Sequence, residues 1–194
     1  MKKYNIAFLD FDGVLNGIGL RDWKNNRYSL DKDTSGAMSK GVTDYRNEWQ
    51  HFDQDIFLSK INILIQAFRD IPDLKIVLST SWRKMKSVQE FHNAFNCIPG
   101  WDFEIIGRTG NHKHNVRGHE INDWIILNKS IVNNYVIIDD ETVDMLPSQS
   151  GKIVKTSVVT GIHRRDIERI QKKLLKYDID GRLIKKGEKT CLKK

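Results

Sequence analysis

At 194 residues, with 39% hydrophobic and 29% charged content, the chain can bury a real core and fits one domain with room for a small insertion. It has no apolar run of the ~18 residues a membrane span needs. Asp10 and Asp12 also break the apolar segment after Met1-Lys2-Lys3 too early for a secretory leader, so a cytoplasmic protein is expected. Cys97 and Cys191 show no C-x-x-C spacing and give no disulfide framework. The formal net charge of +7 favours an anionic partner. Between Lys172 and Lys194, nine Lys or Arg face three acids, so nearly all the surplus is C-terminal, in a solvated tail or a phosphate-backbone contact.

In chain order, Ile6-Ala7-Phe8-Leu9 is a short apolar run of the kind buried in a parallel sheet. Asp10-Phe11-Asp12-Gly13-Val14-Leu15-Asn16 follows, placing two carboxylates where open α/β sheets bind ligands. Gly13 lets the chain turn away with positive φ. Acids this close repel, and a divalent cation is the simplest way to keep both ionised. An Asx-type turn is the plainer alternative. Residues 17–53 are polar and irregular but carry Trp23, Tyr28, Tyr45, Trp49 and Phe52, which suggests a loop-rich insertion over the mouth of the site. Its aromatics, with Arg21, Lys24, Arg27 and Arg46, suit either stacking on nucleotides or anchoring of the insertion.

A helix is expected over Asp55–Asp70, ended by Pro72, with Ile56, Ile63, Leu64, Ala67 and Phe68 near one face. Lys75–Leu78 is a second buried strand, followed by Ser79-Thr80-Ser81-Trp82-Arg83. Hydroxyls there suit either a helix N-cap or an anion site at the helix start. A helix over Arg83–Phe95, a short strand over Phe103–Ile106 and a basic loop through Lys113 come next. In that loop His112 and His114 have no nearby carboxylate or thiolate to complete a metal set. Arg117-Gly118-His119-Glu120-Ile121 opens a helix with Ile121, Trp124, Ile125 and Leu127 on its core face. Tyr135–Ile138 is a clear strand followed by Asp139, Asp140 and Glu141, with Asp144 further on. A last strand over Lys152–Thr156 precedes a basic amphipathic helix over His163–Tyr177, with Ile167, Ile170, Leu174 and Leu175 inward. No P-loop or G-x-G-x-x-G pattern occurs, which argues against those nucleotide sites.

The D-x-D-G motif at Asp10–Gly13 closely resembles the first motif of the haloacid dehalogenase (HAD) phosphohydrolases. The strand-Thr80, Arg117 and strand-Asp139-Asp140 elements follow in that superfamily's order. The phrases Lys75–Arg83, Arg117–Ile121 and Tyr135–Asp140 look like the HAD domain of Swiss Army Knife RNA-repair proteins. The resemblance implies an α/β, Rossmann-like parallel sheet with helices on both faces. It places a HAD-like domain at residues 1–177, holding the insertion at 17–53, and leaves a basic tail at 178–194. It further implies a phosphatase using Mg²⁺, with Asp10 as nucleophile, Asp12 as acid–base, and Thr80 and Arg117 on the phosphoryl oxygens. Gly13, Ser81, Arg83 and Lys113 are expected near substrate. The metal falls to Asp10, the Asp12 carbonyl and Asp139 or Asp140, with Asp144 a further choice. Arg117 departs from the usual Lys, and Lys113 is its alternative. The substrate expected first is an RNA or DNA 3′-phosphate end. The alternatives are nucleotides or other small phosphomonoesters, or a nucleic-acid-binding module with a vestigial pocket.

Overall fold

The computed structural model describes residues 1–16, 21–22, 27–28, 58–84, 86–111 and 116–176. Most of the expected insertion, Met85, Lys113 with the two flanking histidines, and the C-terminal tail with Cys191 lie outside the described residues. The chain runs β1 (Tyr4–Leu9), a short antiparallel pair β2 (Arg21–Asp22) and β3 (Arg27–Tyr28), then α1 (Leu58–Phe68), β4 (Leu74–Leu78) and α2 (Val88–Asn96). It continues through β5 (Glu104–Arg108), α3 (Arg117–Leu127), β6 (Val132–Asp139), β7 (Ile153–Lys155) and α4 (Arg164–Leu175).

Five strands form one all-parallel sheet in the order β5-β4-β1-β6-β7. β1, first in the chain, is therefore the middle strand, and β1–Leu9 is flanked by Leu78 of β4 and Ile138 of β6. The chain leaves β1 toward β4 and β5, then returns to the other side for β6 and β7. Open α/β sheets bind ligands at such a reversal, beyond the carboxyl ends of the strands.

The two faces are sorted by the alternation of side chains along each strand. Ala7, Leu9, Ile76, Leu78, Val136 and Ile138 join Leu64, Phe68, Phe91, Phe95, Ile170 and Leu174 in one core beneath α1, α2 and α4. Ile6, Phe8, Val77, Tyr135 and Ile137 face the other way, against Ile121 and Trp124 of α3. Helices thus cover both faces, as the family resemblance implies. Phe8 anchors the thinner layer, with edge-on contacts to Trp124 and Tyr135 at centroid distances of 5.5 and 6.0 Å.

Three sequence expectations need correction. The helix expected from Arg83 is two elements: a 3-10 turn at Ser81–Lys84 and α2, which begins only at Val88. Ser87 caps α2 and exchanges hydrogen bonds with Glu90 in a capping box, which resets the helix start. Leu127 and Leu175, expected inward, are 83% and 42% exposed, each as the last residue of its helix, where the covered face gives way to solvent. Among the described residues no helix is long and apolar enough to cross a membrane.

Phe8→Ala should lower stability by about 3–5 kcal/mol, the range for emptying a fully buried aromatic site. Val143→Ala, at an exposed site, should stay within about 0.5 kcal/mol of the parent. Urea denaturation followed by circular dichroism measures both, and equal midpoints for the two variants would contradict this core assignment.

Candidate active site

The strand register assembles the site. Because β1 and β6 run parallel with Leu9 beside Ile138, the next residues, Asp10 and Asp139, emerge side by side, and the Asp10 amide donates to the Ile138 carbonyl at 3.1 Å. On the other flank the Ser79 amide donates to the Leu9 carbonyl at 2.9 Å, which brings Thr80 alongside Asp10. The Thr80 hydroxyl, which accepts from the Trp82 amide at 3.4 Å, lies close enough to Asp10 to favour its ionised carboxylate. Asp10, Asp139 and Thr80 are all buried.

Arg117, the first residue of α3, bridges the two acids. Its Nη1 donates to Asp10 Oδ2 at 2.5 Å and to Asp139 Oδ2 at 2.6 Å. Asp144 fixes that helix start from another segment: its Oδ2 accepts from the Arg117 amide at 3.1 Å, and its carbonyl accepts from the Gly118 amide at 3.1 Å. The N-cap residue itself, Val116, offers no side-chain cap, so Asp144 supplies the acceptor and a favourable negative charge. Gly118 permits the approach, since a Cβ there would lie 2.6 Å from the Leu146 nitrogen and 2.9 Å from the Asp144 oxygen. Asp144 therefore caps α3 and stands outside the acidic cluster.

That cluster is Asp10, Asp139 and Asp140, each offering a carboxylate oxygen within 4.8 Å of the others. Both adjacent acids reach it because β6 ends at Asp139, so Asp140 is no longer bound by strand alternation. Asp140 lies over Gly13, where a Cβ would come 2.2 Å from the Asp140 Cγ, and Gly13 has φ +67°. Glycine is thus required at this position twice over, by the turn and by the approach. The Gly13 amide donates to Asn16 Oδ1 and its carbonyl accepts from Thr156 Oγ1, so both backbone groups of this expected substrate neighbour are engaged in the turn.

Among the described residues, these three carboxylates have one direct ion-pair partner, Arg117, which leaves a surplus of negative charge in a mostly buried space. Burial, helped by Asp10, pushes the Asp139 carboxyl up to about 7, and burial also raises Asp10 and Asp140 against the opposing pull of Arg117. Hard oxygen donors with uncompensated charge are the donor set that suits Mg²⁺ or a similar divalent cation. The residues present fit such an ion.

Asp12 takes a different position. Its side chain is exposed and is absent from the three-carboxylate cluster. Oδ1 accepts from Asn16 Nδ2 at 2.9 Å, and Oδ2 accepts from Trp82 Nε1 at 2.9 Å and Ser81 Oγ at 3.4 Å. These donors hold a carboxylate at the mouth, beside the buried one. Asn16 and Trp82 as its partners were not predicted; only the four-residue spacing of Asp12 and Asn16 within one turn hints at the first. Arg83 is also elsewhere than expected. It is buried and donates to Glu120, Thr80 and Gly110, inside the protein, so the expected substrate contact is corrected to an internal one.

A family model describing the HAD domain in Swiss Army Knife RNA repair proteins matches residues 6–167. The chain belongs to this HAD family. The match runs from within β1 to the first turn of α4, takes in every acid of the site described above and agrees with the parallel Rossmann-like sheet. Membership of a HAD family supports phosphatase-type hydrolysis in general, and HAD domains are typically metal-dependent, in keeping with the acidic cluster. No match was found to a curated protein or to a solved structure.

The buried acids predict a metal-linked stability profile. With EDTA, the raised Asp139 pKa means that the folded state holds its proton while the unfolded state has lost it, between about pH 4 and pH 7. Stability of the metal-free protein should therefore fall as pH rises through that range. Mg²⁺ should raise Tm, more at pH 8 than at pH 5.5. Asp140→Asn should weaken this gain, whereas Asp144→Asn should leave the Mg²⁺ midpoint within about threefold of wild type. Thermal scans with Mg²⁺ titration measure all of these, and a Tm indifferent to Mg²⁺ would dismiss the cation site.

Proposed function

We propose that this HAD domain is a Mg²⁺-dependent phosphomonoesterase working through an aspartyl-phosphate, with a polynucleotide 3′-phosphate end as its substrate. The observation that carries the reading is the pairing of a buried and an exposed carboxylate at the end of the central strand, with Arg117 and Thr80 against the buried one. Asp10 is the nucleophile: its carboxylate oxygen attacks phosphorus and the ester oxygen departs. Asp12 donates a proton to that leaving oxygen, which suits a carboxyl at the mouth where the leaving group must exit. As carboxylate it then takes a proton from the water that hydrolyses the aspartyl-phosphate.

Arg117 faces the phosphoryl oxygens with a forked, permanently charged donor set, and Thr80 adds a hydroxyl. Its present bridge between Asp10 and Asp139 holds the nucleophile in place. A cation held by Asp10, Asp139 and Asp140, with the Asp12 carbonyl as a further donor, would offset charge between the nucleophile and the incoming phosphate.

Support for a polynucleotide end comes from the RNA-repair proteins for which the family is described and from the basic balance of the chain. The experiment compares a 3′-phosphorylated RNA oligonucleotide, its DNA counterpart and a 3′-mononucleotide, with Mg²⁺ and with EDTA, at 50 and 200 mM salt. Phosphate release from the oligonucleotides should require Mg²⁺ and fall steeply with salt, while the mononucleotide responds weakly. A mononucleotide hydrolysed better at both salt concentrations would make this a small-molecule phosphatase. Oligonucleotide binding without phosphate release would make it a binding module. Asp10→Asn should abolish turnover, and Thr80→Ala should lower kcat by about 10²–10³.

A further inference from the structure

Arg83 and Glu120 are almost wholly buried, at 5% and 3% exposure, and pair at 2.5 Å between Arg83 Nη2 and Glu120 Oε2. The guanidinium has further work. Nη1 donates to the Thr80 carbonyl at 2.6 Å and Nη2 to the Gly110 carbonyl at 3.3 Å. The main chain of Arg83 is held in turn, its carbonyl accepting from Arg108 Nη1 at 2.5 Å. One side chain thus ties together the exit of β4, the exit of β5 and the first turn of α3.

The placement within α3 gives these ties a target. Glu120 lies three residues after Arg117, so the two project from neighbouring positions one turn apart. Arg117 reaches Asp10 and Asp139, while Glu120 reaches Arg83, which holds the carbonyl of Thr80. The two proposed phosphoryl-binding groups sit on separate segments, β4 exit and α3, and the Arg83–Glu120 pair is a direct side-chain link between them.

A stabilising role alone explains the pair poorly. Burying two charges costs about as much as their attraction returns, and apolar replacements of such pairs are often neutral or better. Arg83 Nε, moreover, is buried without a hydrogen-bond partner among the described residues.

We propose that Arg83 and Glu120 are positioning residues that hold Thr80 and Arg117 in mutual register for phosphoryl transfer, without touching the substrate themselves. The inference rests on the phosphatase reading above. Misplacing catalytic groups by about 1 Å can cost about 10²-fold in rate, so a distant latch has a measurable effect.

The test uses the full chain, p-nitrophenyl phosphate and Mg²⁺. Glu120→Gln keeps the size and one acceptor but loses the charge. Arg83→Met with Glu120→Leu removes both charges together and avoids leaving one buried alone. Both proteins should fold, with circular dichroism like the parent. Each should lose about 10- to 100-fold in kcat, with KM changed less than about threefold. Arg83→Lys, which keeps charge but lacks the fork, should fall between them and wild type. A folded double variant with wild-type kcat would overturn the proposal and leave the pair purely structural.

If the parent itself shows no turnover on this substrate or on the 3′-phosphorylated RNA, the phosphatase reading fails and the latch is judged by amide hydrogen exchange. Faster exchange at residues 108–110 and 117–120 of the double variant, with β6 unchanged, supports the latch. Unchanged exchange there overturns it.

Discussion

Two carboxylates, Asp10 and Asp139, are carried by the register of neighbouring strands into the same buried corner, and Arg117 is the charge that lets them remain there. Removing that guanidinium would take from both buried acids their direct ion-pair partner, and buried acids that lose a partner neutralise or reorganise. The rest of the structure can be ordered by its distance from this contact. The sheet delivers the acids, α3 delivers the arginine, and Asp144 with Gly118 fix where α3 begins.

The site divides its acids by solvent exposure. Asp10 is enclosed by Thr80, the Phe11 amide and Arg117, which hold its carboxylate in one direction, as the proposed nucleophile requires. Asp12 is exposed and held by donors from two segments, a setting for a group that exchanges protons with what arrives and leaves. Two residues apart in the chain, they differ because the strand ends at Leu9, just before them, and Gly13 turns the backbone away.

The acids and the hydroxyl were legible because each follows a short apolar run, and parallel strands with carboxyl-end loops turn that pattern directly into position. Arg117 was legible as a charge at a helix start. What could not be read was direction. Arg83 adjoins Thr80 and Ser81 in sequence, yet a 3-10 turn rotates it inward, and no local pattern says which way a short turn will point a guanidinium. Asp139 against Asp140 was undecidable for a related reason: alternation assigns faces only while a strand lasts, and β6 ends between them. The late start of α2 was present in the letters, as Ser87 three residues before Glu90. Leu127 and Leu175 show the limit of periodicity, which gives a helix face but not where the covered surface stops.

The middle strand of the sheet is also the first one in the chain, and its neighbour β6 lies more than a hundred residues further along. Closing so long a loop is slow and comes late in folding. A ribosome-bound fragment that has exposed only the D-x-D-G motif therefore carries Asp10 without its arginine or its second acid. The acidic cluster of Asp10, Asp139 and Asp140 is complete only once the strand ending in Asp139 lies beside Leu9, so the site belongs to the finished sheet and to no shorter piece of the chain.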